Sequence, residues 1–419
     1  MLRDEKEREM REVSVIVLSG FVGAGKTTLL NQLVRGRGAR RVAVITTDLS
    51  APGLDADLFG SDDAGQFLRG EALIELSARC AGCSLRQHLI EAVSRLARGG
   101  RFDTIVIECS GLTDPLLITD AFEMEDVEGR SLSSMAQLDH LVTVVDARAF
   151  WTDYESGDNL LERGIGRGLD DERTVAELLA NQIECSTALV LNKIDLVTES
   201  ERQRLERFLR DLNQDAAIVS TEQGRLSLDQ LEGDAAALDQ SMSPTPGWMR
   251  LLSGRSMAPN EAVGAQTFVY RARRPFHPFR FWTLMQEDWP GVLRSKGYFW
   301  LASQPTTCYM WSQAGGTCLY ERLGRWWVAI PDRHWPKEEV ALQELREVWD
   351  LVFGDRRIEL AFIGEGIDRA GLTGRLDNCL LTRDELVLDE ELWRALRDPF
   401  NKPSWEKRQA RSGRIEPSW

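Results

Sequence analysis

The sequence predicts a doubly wound, mostly parallel α/β sheet followed by a smaller α+β domain, and three observations carry that prediction. Short apolar runs rich in β-branched residues alternate with longer amphipathic stretches. A glycine-rich turn stands between the first run and the first amphipathic stretch. Twelve of the thirteen tryptophans lie beyond residue 245, which marks a second core of different make-up. A chain of 419 residues is also too long for one ordinary core and suits two to three domains.

Taken in order, residues 1–12 mix both charge signs without an apolar centre and read as a charged arm, neither a signal peptide nor an anchor. The runs VSVIVLS (13–19), RVAVIT (41–46), TIVIE (104–108), HLVTVVD (140–146) and ALVLN (188–192) follow. Their apolarity is continuous, as in strands covered on both faces, and the helical intervals between them imply right-handed crossovers and a parallel sheet. The first domain is placed at 13–225. Residues 226–265 hold no strand-like run and are rich in Asp, Ser, Pro and Gly, the composition of a linker. A second domain at 266–397 has candidate strands at 267–272, 307–312, 325–330 and 357–364 and candidate helices at 337–353 and 383–397. Residues 398–419 read as a flexible tail.

A net charge of -15 argues against attraction to nucleic acid or to anionic lipid, since both require clustered Lys and Arg. No apolar stretch reaches membrane-spanning length, so a cytoplasmic location is expected. Seven irregularly spaced cysteines do not form a disulfide framework, and reduced thiols are expected. The close pair Cys80 and Cys83 invites a metal or redox reading.

Gly20-Phe21-Val22-Gly23-Ala24-Gly25-Lys26-Thr27 follows the first run and precedes an amphipathic stretch, the strand-turn-helix setting that a triphosphate cradle requires. Backbone NH groups from Gly20, Gly23, Ala24 and Gly25 can curl around phosphates, with Lys26 as a point charge and Thr27 as a Mg2+ ligand beside Thr28. Asn192-Lys193-Ile194-Asp195 ends the run ALVLN. There the Asp195 carboxylate can accept both guanine donors, Asn192 can bond the other edge of the base, and the Lys193 stem can lie over the ring, which points to GTP. Glu108-Cys109-Ser110-Gly111 ends TIVIE. Its carboxylate can hold Mg2+ through water and its glycine amide can sense the terminal phosphate; the bland alternative is a strand-end acid before a turn. Asp48 is either a further contact to the ion or a solvated turn acid.

Together GFVGAGKTTLLNQLV, the stretch Glu108 to Pro115, VVDA at 144–147, NKID, and RRPFHPFRFW, SKGYFWLAS and WSQAGG in the second domain resemble the CobW-like GTPases, metallochaperones of the SIMIBI class of P-loop proteins. The resemblance spans residues 13 to about 395. It implies a GTP-hydrolysing protein that binds a transition metal near its nucleotide switch and passes it to a client metalloenzyme. The family's metal motif is Cys-x-Cys-Cys before Thr-Leu-Arg, whereas this chain reads Cys80-Ala81-Gly82-Cys83-Ser84-Leu85-Arg86, so only Cys80 and Cys83 carry over. Where the family tends to have Asn-Asp followed by Ser and Glu, this chain has Thr47-Asp48-Leu49-Ser50-Ala51, which removes an acidic ligand.

Two thiolates do not close a tetrahedral zinc site. His88, five residues past Cys83, and Cys109, beside Glu108, are the candidates to complete it; the ordinary fates of such residues are a surface histidine and a small buried hydrophobe. The four histidines, at 88, 140, 277 and 334, form no tract of the kind many zinc-handling members carry. Among branches of the family, the altered cysteine motif and the missing tract most resemble activators of iron-type nitrile hydratase, which implies Fe, Co or Zn as cargo and nitrile hydratase subunits as partner. Alternatives are a zinc-homeostasis GTPase, an assembly chaperone that carries no metal, and a small-molecule kinase on the same phosphate loop. No arginine finger or catalytic glutamine is legible, so slow intrinsic turnover is expected. The aromatic second domain is a candidate client dock, although most of its rings should be core. Arg273, Arg274 and His277 sit either where the domains meet or in an ordinary proline-rich turn.

Overall fold

The computed structural model describes residues 13–47, 73–75, 83–123, 132–166, 171, 173–235, 246–254, 265–401 and 410–411. The chain divides into two compact units: Met1–Asp153, Asn159–Arg173 and Leu178–Thr245 form the first, and Tyr154–Asp158, Thr174–Glu177 and Pro246–Trp419 the second.

In the first unit, β1 (Val13–Ser19), β2 (Val42–Thr46), β3 (Leu73–Glu75), β4 (Thr104–Glu108), β5 (Ala136–Asp146), β6 (Ala188–Asn192) and β7 (Ala217–Thr221) build one sheet in the order β3-β2-β4-β1-β5-β6-β7. Every neighbouring pair is parallel. The continuous apolarity of β1 has the expected cause. Val13, Val15 and Val17 pack into one cluster with α2 (Cys83–Arg98) and α3 (Leu116–Glu123). Ile16 and Leu18 point the other way, into a cluster with α1 (Lys26–Arg35). Burying each such side chain fully contributes about 1.5–3 kcal/mol, so a strand covered on both faces is apolar at most of its positions, the serines Ser14 and Ser19 of β1 being the exceptions.

Four further helices belong wholly or partly to this unit: α4 (Phe150–Tyr154), α5 (Val175–Glu184), α6 (Glu199–Leu212) and α7 (Leu228–Ala235). On α6 a Thr198–Glu201 capping box fixes the start, and Leu205, Phe208, Leu209 and Leu212 form the buried stripe. The sequence pattern misses β3, which has only three residues, and β7, an edge strand whose apolar run is short. Residues 226–265, read as a linker, contain α7 and, in the second unit, α8 (Gly247–Leu252).

The second unit carries an antiparallel sheet in the order β13-β11-β10-β9-β12-β8. Its strands are β8 (Ala265–Ala272), β9 (Val292–Phe299), β10 (Thr307–Ala314), β11 (Thr317–Arg325), β12 (Ile358–Glu365) and β13 (Ala410–Arg411). Its helices are α9 (Pro278–Met285), α10 (Glu339–Glu347), α11 (Arg369–Cys379), α12 (Arg383–Leu386) and α13 (Glu390–Arg394). The core is aromatic: Phe276 stacks on Phe281 at 4.1 Å between ring centroids, and Trp300 and Trp311 are fully buried, so these rings are packing. Arg273, Arg274 and His277 bond within this unit, to the Arg356 and Leu381 carbonyls and as the cap of α9, in keeping with the proline-rich turn.

Three expectations for this unit are corrected. The strand expected over 325–330 ends at Arg325, the last residue of β11, because the Asp355 carboxylate accepts from the Trp327 and Val328 amides and bends the chain into a short 3-10 turn. The helix expected over 383–397 is two helices, since Asp389 caps the N-terminus of a new one at Glu390. The tail does not start at 398: Phe400 is buried against Tyr320 and Trp282, and Asp398 accepts from Ser303 and Gln304. Among the described residues no helix is long and apolar enough to cross a membrane.

Arg294 is wholly buried in the second unit. It donates to Glu177 and to Ser312, at 2.7 and 2.8 Å, and Lys296 stands 3.8 Å from the same carboxylate. Burial alone would raise the Glu177 carboxyl, but the Arg294 and Lys296 charges and the bonds from Arg294 and Ser312 outweigh it and hold the group at about 2. Arg294→Met strips that buried carboxylate of its nearest charge, leaving Lys296 at 3.8 Å and the Ser312 hydroxyl, and should cost about 3 kcal/mol in denaturant unfolding, with much of it regained in a Glu177→Leu, Arg294→Met double variant. Because the folded value is depressed, the stability difference between wild type and Glu177→Gln should be full above about pH 5 and shrink as pH falls toward 2.

Candidate nucleotide-binding site

The turn after β1 adopts the geometry its glycines permit. Gly20, Gly23 and Gly25 have φ of 132°, 80° and 104°, values that residues with a Cβ rarely take. At Gly25 a Cβ would lie 2.4 Å from the Asn192 amide nitrogen, so the glycine also admits a side chain from β6. Asn192 is buried there, donating to the Ala24 carbonyl at 3.0 Å and accepting from the Gly224 amide at 3.1 Å. The loop is therefore braced from outside itself.

Lys26 opens α1 and is almost fully buried, its ammonium donating to the Gly20 and Phe21 carbonyls at 2.9 and 3.0 Å. The neighbouring Thr27 hydroxyl donates to Glu108 Oε1 at 2.6 Å. That contact follows from topology: β1 and β4 are adjacent and parallel, with Leu18 opposite Glu108. A hydroxyl and a carboxylate converging at the phosphate loop suit a hard, oxygen-seeking cation such as Mg2+. Thr28 occupies the next position on the same helix.

Beyond Glu108, the Ser110 amide donates to Thr47 Oγ1 at 3.1 Å, which ties the end of β2 to this turn. Gly111 backs onto the phosphate loop: a Cβ there would stand 2.6 Å from the Val22 nitrogen.

At the far end of the site, Lys193 has φ 63° and its ammonium reaches the Gly23 carbonyl at 2.9 Å and Asp146 Oδ2 at 2.5 Å. Asp146 and Asn192 face one another across the β5–β6 pair, which places that carboxylate beside the next residue, Lys193. Asp195 is exposed on the 3-10 turn Ile194–Leu196, free to meet a base.

The structure thus gathers Gly20, Gly23, Ala24, Gly25, Lys26, Thr27, Glu108, Gly111, Asn192 and Lys193 at one edge of the sheet. The metal candidates fare differently. Cys109 is fully buried in the apolar cluster with Val15 and Val17, the fate of a small hydrophobe. His88 is exposed on α2. Asp48 and Cys80 lie outside the described residues, as does the Cys83 side chain. Among the described residues no group of three or more His, Cys, Asp and Glu is placed to hold a metal ion. Sequence reasoning did not single out Thr47, Asp146 or Gly224 as parts of the site. Asp146 alone had a signal, as the acid of VVDA at a strand end.

Comparison with known proteins follows the same division of the chain. Residues 14–220 match the CobW/HypB/UreG nucleotide-binding domain, and residues 265–380 match the cobalamin synthesis protein CobW C-terminal domain. Zinc-regulated GTPase metalloprotein activator 1 of Dictyostelium discoideum is 34% identical over 406 residues, 94% of this chain and 85% of that protein. The protein of the same name in Schizosaccharomyces pombe is 32% identical over 51% of this chain and 47% of its own length. A zinc chaperone of Mycobacterium tuberculosis is 27% identical over 80% and 81% of the two chains. Among solved structures, Zn(II)-bound YjiA GTPase from E. coli is 18% identical, with a TM-score of 0.39 over 89% of this chain and 100% of that one.

Asn192→Ala should weaken nucleoside triphosphate binding and lower stability by about 1–3 kcal/mol, because it strands the Ala24 carbonyl and the Gly224 amide in a buried place. Titration of a fluorescent nucleotide alongside thermal melting checks both effects.

Proposed function

Since the chain belongs to the CobW/HypB/UreG family of GTPase metallochaperones, with a CobW C-terminal domain, we propose that it binds and hydrolyses GTP and uses the cycle to control the hold on a transition metal passed to a client metalloenzyme. The observation that carries this reading is the meeting of Thr27 with Glu108, while Asn192 braces the same loop and Asp195 faces outward two residues past Lys193.

Each residue then has a task. Lys26 exchanges its two carbonyl partners for the outer phosphates, and α1 presents its amides to them. Thr27 and Glu108 would hold Mg2+, which when bound offsets the charge gathering on the phosphates. Asp195 accepts from guanine N1 and N2, and Lys193, clamped between Gly23 and Asp146, lays its stem along the ring. The Gly111 amide senses the terminal phosphate from its position against Val22. Release of that phosphate then frees the segment after β4 to move.

The cargo site is proposed on Cys80 and Cys83 with a further donor from the protein or the client, since two thiolates do not complete a tetrahedral site. The printed names of the relatives favour zinc as the metal. Nothing in those names favours iron-type nitrile hydratase as the client. Turnover without a client is proposed to be slow, below about 0.1 per second, as in P-loop GTPases that lack an arginine finger. The expected place of action is the cytoplasm.

Two measurements test this. Asp195→Asn trades an acceptor for an amide that can donate, so affinity should fall for GTP and rise for XTP, whose C2 carbonyl accepts, each by 10-fold or more on the order of one charged hydrogen bond. Unchanged preference in nucleotide competition would place the base elsewhere. Equilibrium dialysis with Fe2+, Co2+ and Zn2+, with and without GTP, should give stoichiometric, nucleotide-dependent uptake of one metal and loss of it in a Cys80→Ser, Cys83→Ser double variant. Absence of uptake in every state would make the protein an assembly chaperone that carries no metal.

A further inference from the structure

The three carbonyls that follow the Glu108-Cys109-Ser110 turn are each held by a side chain from far along the sequence. Gln182, on α5, donates from Nε2 to the Gly111 carbonyl at 3.1 Å and to the Thr113 carbonyl at 3.4 Å. Arg173 donates from Nη1 to the Leu112 carbonyl between them at 3.0 Å. Arg173 is itself oriented by two 2.8 Å bonds to the Asp171 carboxylate. From within the turn, the Thr113 amide donates to the Ser110 carbonyl at 2.9 Å and the Leu112 amide meets the Ser110 hydroxyl at 3.3 Å.

Gln182 has no exposed surface, and Leu178, Leu179, Ala180 and Ile183 around it on the helix are all buried. An apolar side chain is the ordinary choice at such a position, and an amide is tolerated only where its polar atoms are used. Its two donors are used on Gly111 and Thr113, whereas its Oε1 has no partner among the described residues. A buried acceptor left open is costly. The same amide would therefore be better satisfied by an arrangement in which the 111–113 segment turns an N–H toward it, so one side chain can grip the segment in more than one position.

We propose that Gln182, supported by Arg173, is a positioning residue for the Gly111 peptide: it fixes how that peptide stands against Val22 of the phosphate loop and thereby sets the rate of GTP hydrolysis. This rests on reading Gly111 as the sensor of the terminal phosphate. The leverage is geometric. Gly111 lies so close to Val22 that not even a Cβ fits between them, and displacement of a reacting arrangement by about 1 Å can cost on the order of 100-fold in rate.

The test is single-turnover GTP hydrolysis by the full chain, measured beside GTP and GDP affinity and thermal melting. Gln182→Leu keeps the volume and removes both donors; it should slow hydrolysis by at least about 10-fold while GDP affinity stays within about twofold of wild type. In Gln182→Glu only the protonated carboxyl can donate to the carbonyls, so its hydrolysis rate should rise as pH falls from about 8 to about 6, a trend absent from wild type. Should Gln182→Leu fail to fold, Arg173→Leu asks the same question of the Leu112 carbonyl, with a smaller slowing expected.

Hydrolysis at the wild-type rate in a folded Gln182→Leu protein overturns the proposal. So does a fall in rate matched by an equal fall in GDP affinity, which is what a purely structural role would give. Lys26→Ala separates the two levels of the reading. If that variant still hydrolyses GTP normally, the nucleotide site itself is misplaced; if it is inactive and Gln182→Leu is unaffected, only the positioning role falls.

Discussion

The site depends on the adjacency of β1 and β4. These two strands run parallel with Leu18 opposite Glu108, so their carboxyl ends deliver the phosphate loop and the acidic turn to the same point. The 2.6 Å bond from Thr27 to Glu108 is the local result. The cause lies in the sheet, where alternate residues of β1 pack into two differently shaped apolar clusters, Val15 and Val17 into one and Ile16 and Leu18 into the other. The other contacts hang on that arrangement. Thr47 at the end of β2 reaches Ser110, and Asn192 at the end of β6 reaches Ala24. Residues as much as 170 positions apart in sequence become neighbours because the strands that carry them end at one edge of the sheet.

What could be read from the sequence was whatever local pattern records. The two-sided burial of β1, β2, β4 and β6 writes itself as unbroken apolar runs, and strained glycines in the first turn mark the phosphate loop. β7 leaves a fainter record, because its apolar run stops at Val219 and Ser220 and Thr221 complete the strand. In the second unit the same blindness took a different form. Trp326, Trp327 and Val328 have strand-forming side chains, yet the carboxylate of Asp355, remote in sequence, decides their backbone. In α11 the buried stripe is only Leu372, Leu376 and Cys379, and Gly371 and Gly374 beside it read as loop.

Within the site the division is similar. Lys26, Thr27, Glu108 and Asn192 belong to short motifs, so that they would gather at the turn after β1 was legible. The bracing function of Asn192 was not, since it is exercised on Ala24 and Gly224 rather than on a ligand. Gln182 lies in the middle of an ordinary helical stretch, and only its burial against two carbonyls separates it from a solvent-facing amide. Cys109 shows the converse: proximity in sequence to Glu108 suggested a ligand, but alternation along the chain turns the two residues to opposite sides, one to the loop and one into the apolar cluster.

The partners of Lys26 have a consequence for selectivity among anions. Its ammonium is not bare: the buried lysine already donates to the Gly20 and Phe21 carbonyls. An incoming anion must out-compete two well-placed dipoles before it gains anything from the positive charge. Singly charged ions such as chloride or bicarbonate offer too little for that exchange, whereas a polyphosphate brings several charged oxygens to the lysine and the loop amides at once. On the proposed reading of this loop, the lysine would then serve as a threshold as well as a grip.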